Sequence, residues 1–168
     1  MIDGISRRHK GDIMSPEKRS AVMACIKGRD TAPERAIARA FEAEALGAWE
    51  CHARDLPGRP DFVFRPERVA VFVDGDFCHG WRFPQWRDKL SEKWEAKIEG
   101  NRRRDTRNHR RLRQMGWRVI RIWEHQVDRD PSICVSRVKQ ALMQQSASDH
   151  EMAATTWRNR QEPGKQVP

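Results

Sequence analysis

The sequence predicts an α/β fold in which a mixed central sheet is flanked by helices. Residues 69–73 form an almost wholly apolar run, Val-Ala-Val-Phe-Val, which is typical of a central strand covered on both faces. Helical and strand patterns follow one another in the order ααβββαβα, which supplies helices for both sides of such a sheet. With 168 residues the chain is long enough for one domain with one three-layer core.

Capping signals predict two helices before the sheet. The first begins at Ser15, which is followed by a proline and an acid in the first turn, and it ends at Gly28. The second begins with the capping box Thr31-Ala32-Pro33-Glu34 and ends at Gly47. Its apolar face carries Ile37, Ala40 and Phe41.

The remaining elements follow from β-branched and aromatic runs, helical patterns and turn residues. Strands are predicted at Trp49–Ala53, Asp61–Phe64, Val69–Val73 and Trp117–Trp123. Helices are predicted from about Lys89 to Met115, before Gly116, and from about Pro131 to Gln144. We expect residues 1–13 to form a flexible basic N-terminus, residues 14–145 the folded domain and residues 146–168 a disordered polar tail.

The charge balance favours an anionic partner. The chain has 33 basic and 24 acidic residues, a formal net charge of +9, and nucleic acid is the commonest partner of so basic a small domain. Charge alone does not distinguish DNA from RNA or from a membrane surface, but no apolar run approaches the roughly 20 residues of a membrane span.

The cysteines indicate reduced thiols. Cys25, Cys51, Cys78 and Cys134 are far apart, and no apolar stretch follows the basic N-terminus as in a secretory signal. We therefore expect a cytoplasmic protein without a disulfide framework. No Cys-x-x-Cys or paired histidine spacing is present, so the pattern predicts no zinc site.

One carboxylate is placed for metal chemistry. Asp61 opens a strand directly after the turn Pro57-Gly58-Arg59-Pro60, and the next strand ends at Asp74. Two neighbouring strands would bring these oxygens together, and hard oxygen ligands suit Mg²⁺, which can polarise a phosphate. The alternative is that Asp61 only caps a turn, and the local pattern leaves both interpretations open.

Two further features point to the same strand ends. His79 follows Asp74 by five residues, and a neutral imidazole can accept a proton from an attacking water, although a loop histidine is often only solvated. One face of the long predicted helix carries Trp94, Ile98, Asn101 and Asp105. This stripe changes from apolar to polar, as expected for a face that leaves the core and enters a site.

For three further features, the sequence is compatible with both a structural and a functional interpretation. The opposite helix face carries Arg102, Arg103, Arg107, Arg110 and Arg111, which either contact phosphates or are solvated. Glu34 is explained by the capping box alone, yet it is also an acid near the predicted site. The aromatic residues Phe77, Trp81, Phe83 and Trp86 are either core residues or wedges that distort DNA.

Taken together, four motifs resemble those of the very short patch repair (Vsr) mismatch endonucleases, over Ser15 to about Leu142. The motifs are Arg29-Asp30-Thr31-Ala32-Pro33-Glu34, Leu56-Pro57-Gly58-Arg59-Pro60-Asp61-Phe62-Val63, Val71-Phe72-Val73-Asp74-Gly75-Asp76-Phe77-Cys78-His79-Gly80 and Gly116-Trp117-Arg118-Val119-Ile120-Arg121-Ile122-Trp123-Glu124. The resemblance implies a restriction-endonuclease-like three-layer fold. It also implies an Mg²⁺-dependent nick in double-stranded DNA on the 5′ side of the thymine in a T·G mismatch, which arises when 5-methylcytosine deaminates.

The resemblance also assigns roles to residues. Those implied near the catalytic centre are Asp61, His79 (the general base), Asp105 and Glu34. The implied metal contacts are Asp61 and the main-chain carbonyl of Val73, and Asp74 is a candidate further ligand. Those implied to contact DNA are Arg59, Phe77, Trp94, Lys97 and Asn101, with the two aromatic residues inserted beside the mismatch.

Two departures from the family pattern matter. Studied members hold a structural zinc, but the corresponding positions here are Asp76, Trp81, Phe83 and His125, so we expect no zinc site. Packing by Trp81, Phe83 and Trp86 would then replace the metal. Cys78 stands where the family has another wedging aromatic residue, which weakens the expectation of mismatch preference more than that of nuclease chemistry.

We therefore expect a nuclease that acts on mismatched DNA near the nucleoid. A monomer is expected because a nick in one strand requires one active site, and mismatch repair proteins are candidate partners. One alternative is a nuclease of the same fold with another DNA target, and a second is a non-catalytic DNA-binding module. The presence of Asp61, His79 and Asp105 argues against the second alternative.

Overall fold

The computed structural model describes residues 29–144. The predicted basic N-terminus at residues 1–13, the predicted helix from Ser15 to Gly28 and the predicted polar tail at residues 146–168 lie outside the described residues. No helix in the described part is long and apolar enough to span a membrane.

Helices and strands follow one another in the order predicted for this part of the chain, with two additional short helices. The strands are β1 (Glu50–Cys51), β2 (Phe62–Phe64), β3 (Val69–Asp74) and β4 (Arg118–Trp123). The helices are α1 (Ala32–Ala43), α2 (Phe83–Trp86), α3 (Glu92–Gln114), α4 (Glu124–Arg129) and α5 (residues 131–144). A 3₁₀ turn over Arg87–Lys89 follows α2.

The strands form one mixed sheet in the order β1-β2-β3-β4. The first two pairs are antiparallel, whereas β3 and β4 are parallel, with Val71 opposite Ile120. The parallel pair requires a crossover, which α3 provides. The mixed sheet predicted from the sequence is therefore confirmed.

Apolar side chains pack on both faces of the sheet. Phe62, Val69 and Ile120 face one side and pack with residues of α1 and α5 such as Phe41 and Val138. On the opposite face, the cluster formed by Val63, Ala70 and Phe72 packs against Leu112 of α3. The result is three layers, as predicted, and side-chain alternation places Asp74 and Arg121 on the face covered by α3.

Two predicted boundaries were wrong at the N-terminal side of the sheet. Thr31 is the N-cap of α1 as predicted, but the helix ends at Ala43 rather than at Gly47. Ala45 already has a φ of 48°, so the chain leaves the helical conformation before the glycine. Strand β1 covers only Glu50–Cys51 instead of Trp49–Ala53, because His52 has a φ of 52° and leaves the extended region.

The segment predicted as a loop before the long helix contains helical turns. Phe83–Trp86 is helical, and α3 begins at Glu92 rather than at Lys89 because Ser91 is in an extended N-cap conformation. Helix α4 was not predicted either. It directly follows β4, where the Trp123 N–H donates to the Gln126 side chain over 3.1 Å and caps the new helix.

Replacing Phe41 with alanine tests this packing. Phe41 has no exposed surface, and its ring makes edge contacts with Trp49, Phe62 and Phe64 at centroid distances of 5.3–5.6 Å. We expect Phe41→Ala to lower the free energy of unfolding in urea by about 3–5 kcal/mol. The control Ile133→Ala, at a side chain that is 59% exposed, should change it by less than about 0.5 kcal/mol. Similar small losses in both variants would contradict the assigned core.

Candidate active site

A rigid turn delivers Asp61 to the edge of the sheet. Gly58 and Arg59 both have positive φ, 82° and 53°, and a Cβ at Gly58 would lie 3.1 Å from the Cβ of Asn108. The backbone conformation therefore favours glycine at position 58, where a Cβ would also crowd Asn108. The Asp61 N–H donates to the Val71 carbonyl over 3.0 Å, which fixes the residue beside β3.

The Asp61 carboxylate contacts the end of β3 directly. Its Oδ2 accepts a hydrogen bond from the Val73 N–H at 2.7 Å. Because the N–H and C=O of one strand residue project toward the same neighbour, the Val73 carbonyl faces the same edge as this carboxylate. Asp61 therefore does not cap its own turn, and an acid and a backbone carbonyl lie together as the sequence motifs imply.

The environment of Asp61 disfavours its charged form. The pKa of Asp61 is raised to about 7: burial is the largest cause, the charges of Glu34 and Asp74 contribute, and the hydrogen bond from Val73 opposes the rise. A cation beside the carboxylate would offset the cost of ionisation. The donors at this edge are hard oxygens, which fit Mg²⁺ better than a thiophilic metal.

Glu34 combines a capping role with a place at the site. Its Oε1 accepts from the Thr31 hydroxyl at 2.7 Å, and its Oε2 accepts from the Asp30 N–H at 2.9 Å. The side chain is buried, and its Oε2 lies 3.8 Å from His52 Nε2. The Thr31 side chain caps α1 by accepting from the Glu34 N–H, but the Glu34 carboxylate accepts from Asp30 rather than from the Thr31 N–H that a capping box requires, and it also faces the site.

His52 connects Glu34 to Asp61 and was missed by the sequence analysis. Its Nδ1 lies 3.9 Å from Asp61 Oδ1, and its Nε2 lies 3.4 Å from Asp30 Oδ1. The His52 N–H also donates to the Asp61 carbonyl over 3.0 Å. The signal was available, because pairing of the two predicted strands places residue 52 beside residue 61.

A second cluster forms around His79. Its Nδ1 lies 2.7 Å from Asp105 Oδ2 and 3.1 Å from Asp74 Oδ1. Both acids are buried, and Asp105 comes from the inward face of α3, as predicted from its spacing. Since Nδ1 is held by the acids, Nε2 is the nitrogen available for proton transfer.

The two acids also set the protonation of His79. Burial alone would lower the pKa of His79, but the hydrogen bond with Asp105 and the charges of Asp74 and Asp105 outweigh it and raise the pKa. Burial opposes ionisation of Asp105, yet the contact with His79 and the charges of Arg104 and Arg121 lower its pKa. The pair therefore resembles other carboxylate–histidine pairs, in which the acid orients the ring.

Arg121 completes this cluster and was also missed. Its Nε donates to Asp74 Oδ2 at 2.5 Å, and its Nη2 lies 3.8 Å from Asp105 Oδ2. The available signal was a charged residue between Ile120 and Ile122 in an apolar strand. Such a residue must face the other side of the sheet and find a partner there.

All four predicted catalytic residues line one cleft of about 810 Å³. They are Glu34, Asp61, His79 and Asp105. Exposed arginines also line this cleft, namely Arg29, Arg35, Arg59 and Arg104. A concave site that combines buried acids with exposed cations fits a phosphate-containing polymer.

Most of the predicted DNA-contacting residues lie beside the cleft rather than in it. Arg59 lines the cleft. Phe77 and Trp94 make an edge contact at 5.4 Å, and Lys97 Nζ lies 4.7 Å above the Trp94 ring. Asn101 donates to the Cys78 carbonyl over 2.9 Å and so anchors the loop that carries His79.

The aromatic loop divides between core and surface. Phe83 is 1% exposed and belongs to the interior, whereas Phe77, Trp81 and Trp86 are only partly buried. Phe77 stacks on Trp86 at 5.5 Å, so the partly buried rings support one another. The core interpretation is therefore confirmed for Phe83, whereas a role of the partly buried rings in distorting DNA stays a prediction.

The positions that correspond to the zinc ligands form a different contact. His125 Nδ1 lies 2.7 Å from Asp76 Oδ1, and the Trp81 ring packs against His125 at 4.7 Å and against Trp123 at 5.0 Å. Trp81 and Phe83 provide no ligand atom, so these side chains do not fit a four-coordinate zinc site. The absence of a structural zinc stays a prediction.

Comparisons with known proteins also identify this chain as similar to DNA endonucleases. The family model described as DNA mismatch endonuclease Vsr matches residues 11–85. The type II nicking enzyme V.NmeDIP of Neisseria meningitidis serogroup C is 39% identical over 134 residues, which are 78% of this chain and 90% of that protein. The DNA mismatch endonuclease Vsr of Escherichia coli (strain K12) is 37% identical over 118 residues, which are 67% of this chain and 73% of that protein.

A third relative, the type II nicking enzyme V.XorIIP of Xanthomonas oryzae pv. oryzae, is 37% identical over 67% of this chain and 84% of its own length. The matches extend well beyond the motifs from which the resemblance was inferred. The mixed sheet with helices on both faces is the α/β, restriction-endonuclease-like fold expected from that resemblance. The chain is thus an endonuclease that acts on phosphodiester bonds in DNA, and it belongs to the Vsr family of DNA mismatch endonucleases.

Proposed function

We propose that this protein nicks one strand of double-stranded DNA on the 5′ side of the thymine in a T·G mismatch, and that the reaction requires Mg²⁺. The observation that carries the nuclease chemistry is the Asp61 carboxylate, which lies against Val73 at the base of an arginine-lined cleft. The name of the Escherichia coli relative supports a mismatch as the target.

In this mechanism the residues of the cleft would bind the metal ion and orient the general base. The Asp61 carboxylate and the Val73 carbonyl would hold Mg²⁺, which supplies positive charge for the scissile phosphate. Asp105 fixes His79 through Nδ1 at 2.7 Å. His79 Nε2 then accepts a proton from the attacking water. The product keeps a 5′-phosphate and a 3′-hydroxyl.

Recognition of the mismatch is assigned to the rings beside the cleft. Phe77 and Trp94 are in contact and only partly buried, so they can insert between base steps without unfolding the core. Lys97 lies over Trp94 and is exposed, which suits a phosphate contact. One active site suffices for a nick in one strand, so the proposal is a monomer, and mismatch repair proteins are proposed partners.

A specific observation supports a second candidate function, a nicking enzyme with another DNA target. Cys78 lines the cleft beside Phe77, at the position where the resemblance implies a third wedging ring. A thiol cannot stack on bases as an aromatic ring does. Two of the relatives described above are also named as type II nicking enzymes.

Two end-labelled duplexes that differ only in one pair, T·G or T·A, separate these candidates. We expect purified protein to cut only the T·G duplex, 5′ to the thymine, and only with Mg²⁺ present. Equal cutting of both duplexes would keep the nuclease and favour the second candidate. Binding without any cut in Mg²⁺ would contradict the proposed chemistry.

Replacing Asp61 tests the assigned metal contact. We expect Asp61→Ala to lower the nicking rate by about a thousandfold or more, because the charge at the phosphate is no longer neutralised. DNA binding measured by gel shift should remain, since the arginines are intact. The matched control is Asp55→Ala, an exposed acid that pairs with Arg65 outside the cleft. Wild-type nicking by Asp61→Ala would show that the site is elsewhere.

The raised pKa of Asp61 predicts how metal affinity depends on pH. Only the ionised carboxylate binds a cation, and its pKa of about 7 lies inside the accessible range. Calorimetric titration of DNA-free protein with Mg²⁺ should show affinity that falls by about tenfold for each pH unit below 7 and levels off above it. Asp61→Asn should lose this dependence. A pH-independent affinity in the wild-type protein would contradict the burial effect.

A further inference from the structure

We propose that Arg121 is a positioning residue for the nicking reaction, which it serves by holding Asp74 so that Asp74 and Asp105 together orient His79. In this arrangement Asp74 is the partner of Arg121 rather than a ligand of the catalytic metal. The inference rests on the proposed function, because it assigns how the base of that reaction is held. Neither residue's role follows from the sequence motifs alone.

The first argument is the closed arrangement of contacts. Asp74 Oδ2 accepts from Arg121 Nε at 2.5 Å, and Asp74 Oδ1 lies 3.1 Å from His79 Nδ1. Asp105 Oδ2 lies 2.7 Å from the same His79 nitrogen and 3.8 Å from Arg121 Nη2. Two buried acids thus share one imidazole and one guanidinium, so that the position of each group depends on the other three.

The second argument is the sheet that builds this arrangement. In the parallel pair, Arg121 lies opposite Phe72, and Asp74 is two residues further along the same face of β3. The Arg121 guanidinium is fixed from the other side by the Trp123 ring, 4.5 Å from Cζ. A rigid strand pair therefore holds the cation, whereas His79 lies on a loop and needs an external constraint.

The third argument is that Arg121 does not reach the substrate. It is not among the residues that line the cleft. Its Nη2 is buried and has no hydrogen-bond partner within residues 29–144. Arg121 therefore acts on the reaction through its neighbouring side chains rather than by contact with the substrate, which distinguishes it from the exposed arginines of the cleft.

The fourth argument concerns the metal. Asp74, His79 and Asp105 place three ligand atoms close enough together for an ion. However, Arg121 already supplies a positive charge there, and both Asp74 oxygens have partners. In the described part of the chain Asp61 has no ion pair with arginine or lysine. The cation is therefore better accommodated at Asp61 than at Asp74.

The test compares Arg121→Met with Arg118→Met, which removes an exposed arginine from the same strand. We expect Arg121→Met to lower kcat for nicking by about 10- to 100-fold, because a misplaced base acts poorly, with KM for DNA changed less than about twofold. Arg121→Lys, which keeps the charge but not the planar fork, should recover part of this loss. Arg118→Met should keep the wild-type kcat.

A double-mutant cycle tests the coupling to Asp74. Asp74→Asn should also lower kcat, and Asp74→Asn combined with Arg121→Met should be no worse than the poorer single variant. Losses that multiply would overturn the inference, as would a wild-type kcat in Arg121→Met or an equal loss in Arg118→Met. If circular dichroism shows that Arg121→Met does not fold, Arg121→Lys carries the test, and a wild-type kcat there overturns the inference.

Two readouts do not depend on cleavage. Asp74→Asn should bind Mg²⁺ in the absence of DNA within about twofold of wild type, whereas loss of binding equal to that of Asp61→Ala would make Asp74 a ligand and overturn the inference. Histidine-ring ¹⁵N spectra should show the His79 Nδ1 signal displaced in Arg121→Met but not in Arg118→Met. If the His79 signals of Arg121→Met and the wild-type protein coincide, the inference is overturned. Failure of wild-type protein to nick DNA would refute the proposed function, while these two measurements would still decide whether Asp74 binds Mg²⁺ and whether Arg121 orients His79.

Discussion

The hydrogen bond from the Val73 N–H to the Asp61 carboxylate ties the chemistry of this protein to the register of its sheet. It extends the antiparallel pairing of β2 and β3 by one interaction and fixes the carboxylate beside the Val73 backbone. A shift of this register by one residue would move Asp61 to the other face and away from the cleft. The apolar side chains of the two strands, buried on both faces, are what prevent such a shift.

The site contains several buried ionisable side chains, and their charges are compensated to different degrees. The folded-state pKa of Asp61, about 7, lies above its ordinary value of 3.8. Ionisation of this acid therefore destabilises the folded state, and the effect grows as the pH rises from about 4 toward 7. The second cluster behaves differently, since Arg121 and His79 compensate Asp74 and Asp105. Asp61, by contrast, has no arginine or lysine partner within residues 29–144, and it lies where a metal cation is proposed.

At the positions that correspond to the zinc ligands, side-chain contacts join the loop after β3 to α4. Asp76 and His125 join the loop after β3 to α4 by one hydrogen bond, and Trp81 packs over the same histidine. We predict that this ring packing and this polar contact take the place of the metal coordination implied for other members of the family. The loop carries His79, so its anchoring bears on the placement of the base.

The sequence by itself determined the fold class, the main strands and most of the candidate site. Three local patterns indicated the site: the apolar run ending at Asp74, the rigid turn before Asp61 and the polar stripe ending at Asp105. Each depends only on the spacing of residues that are close in the sequence. The family resemblance added roles for Glu34 and His79. Element ends were less certain, because backbone conformations such as the positive φ of His52 have no strong sequence signal.

Only the tertiary structure decided which groups face one another across the sheet. His52 joins Asp61, and Arg121 joins Asp74, through strand pairing between residues 9 and 47 positions apart in the sequence. Packing of the segment after β3 beside α3 decided that Phe83 belongs to the core while Phe77 is only partly buried. Periodicity shows which face a residue lies on, but contacts between distant segments depend on strand register and layer packing, which the whole chain sets together.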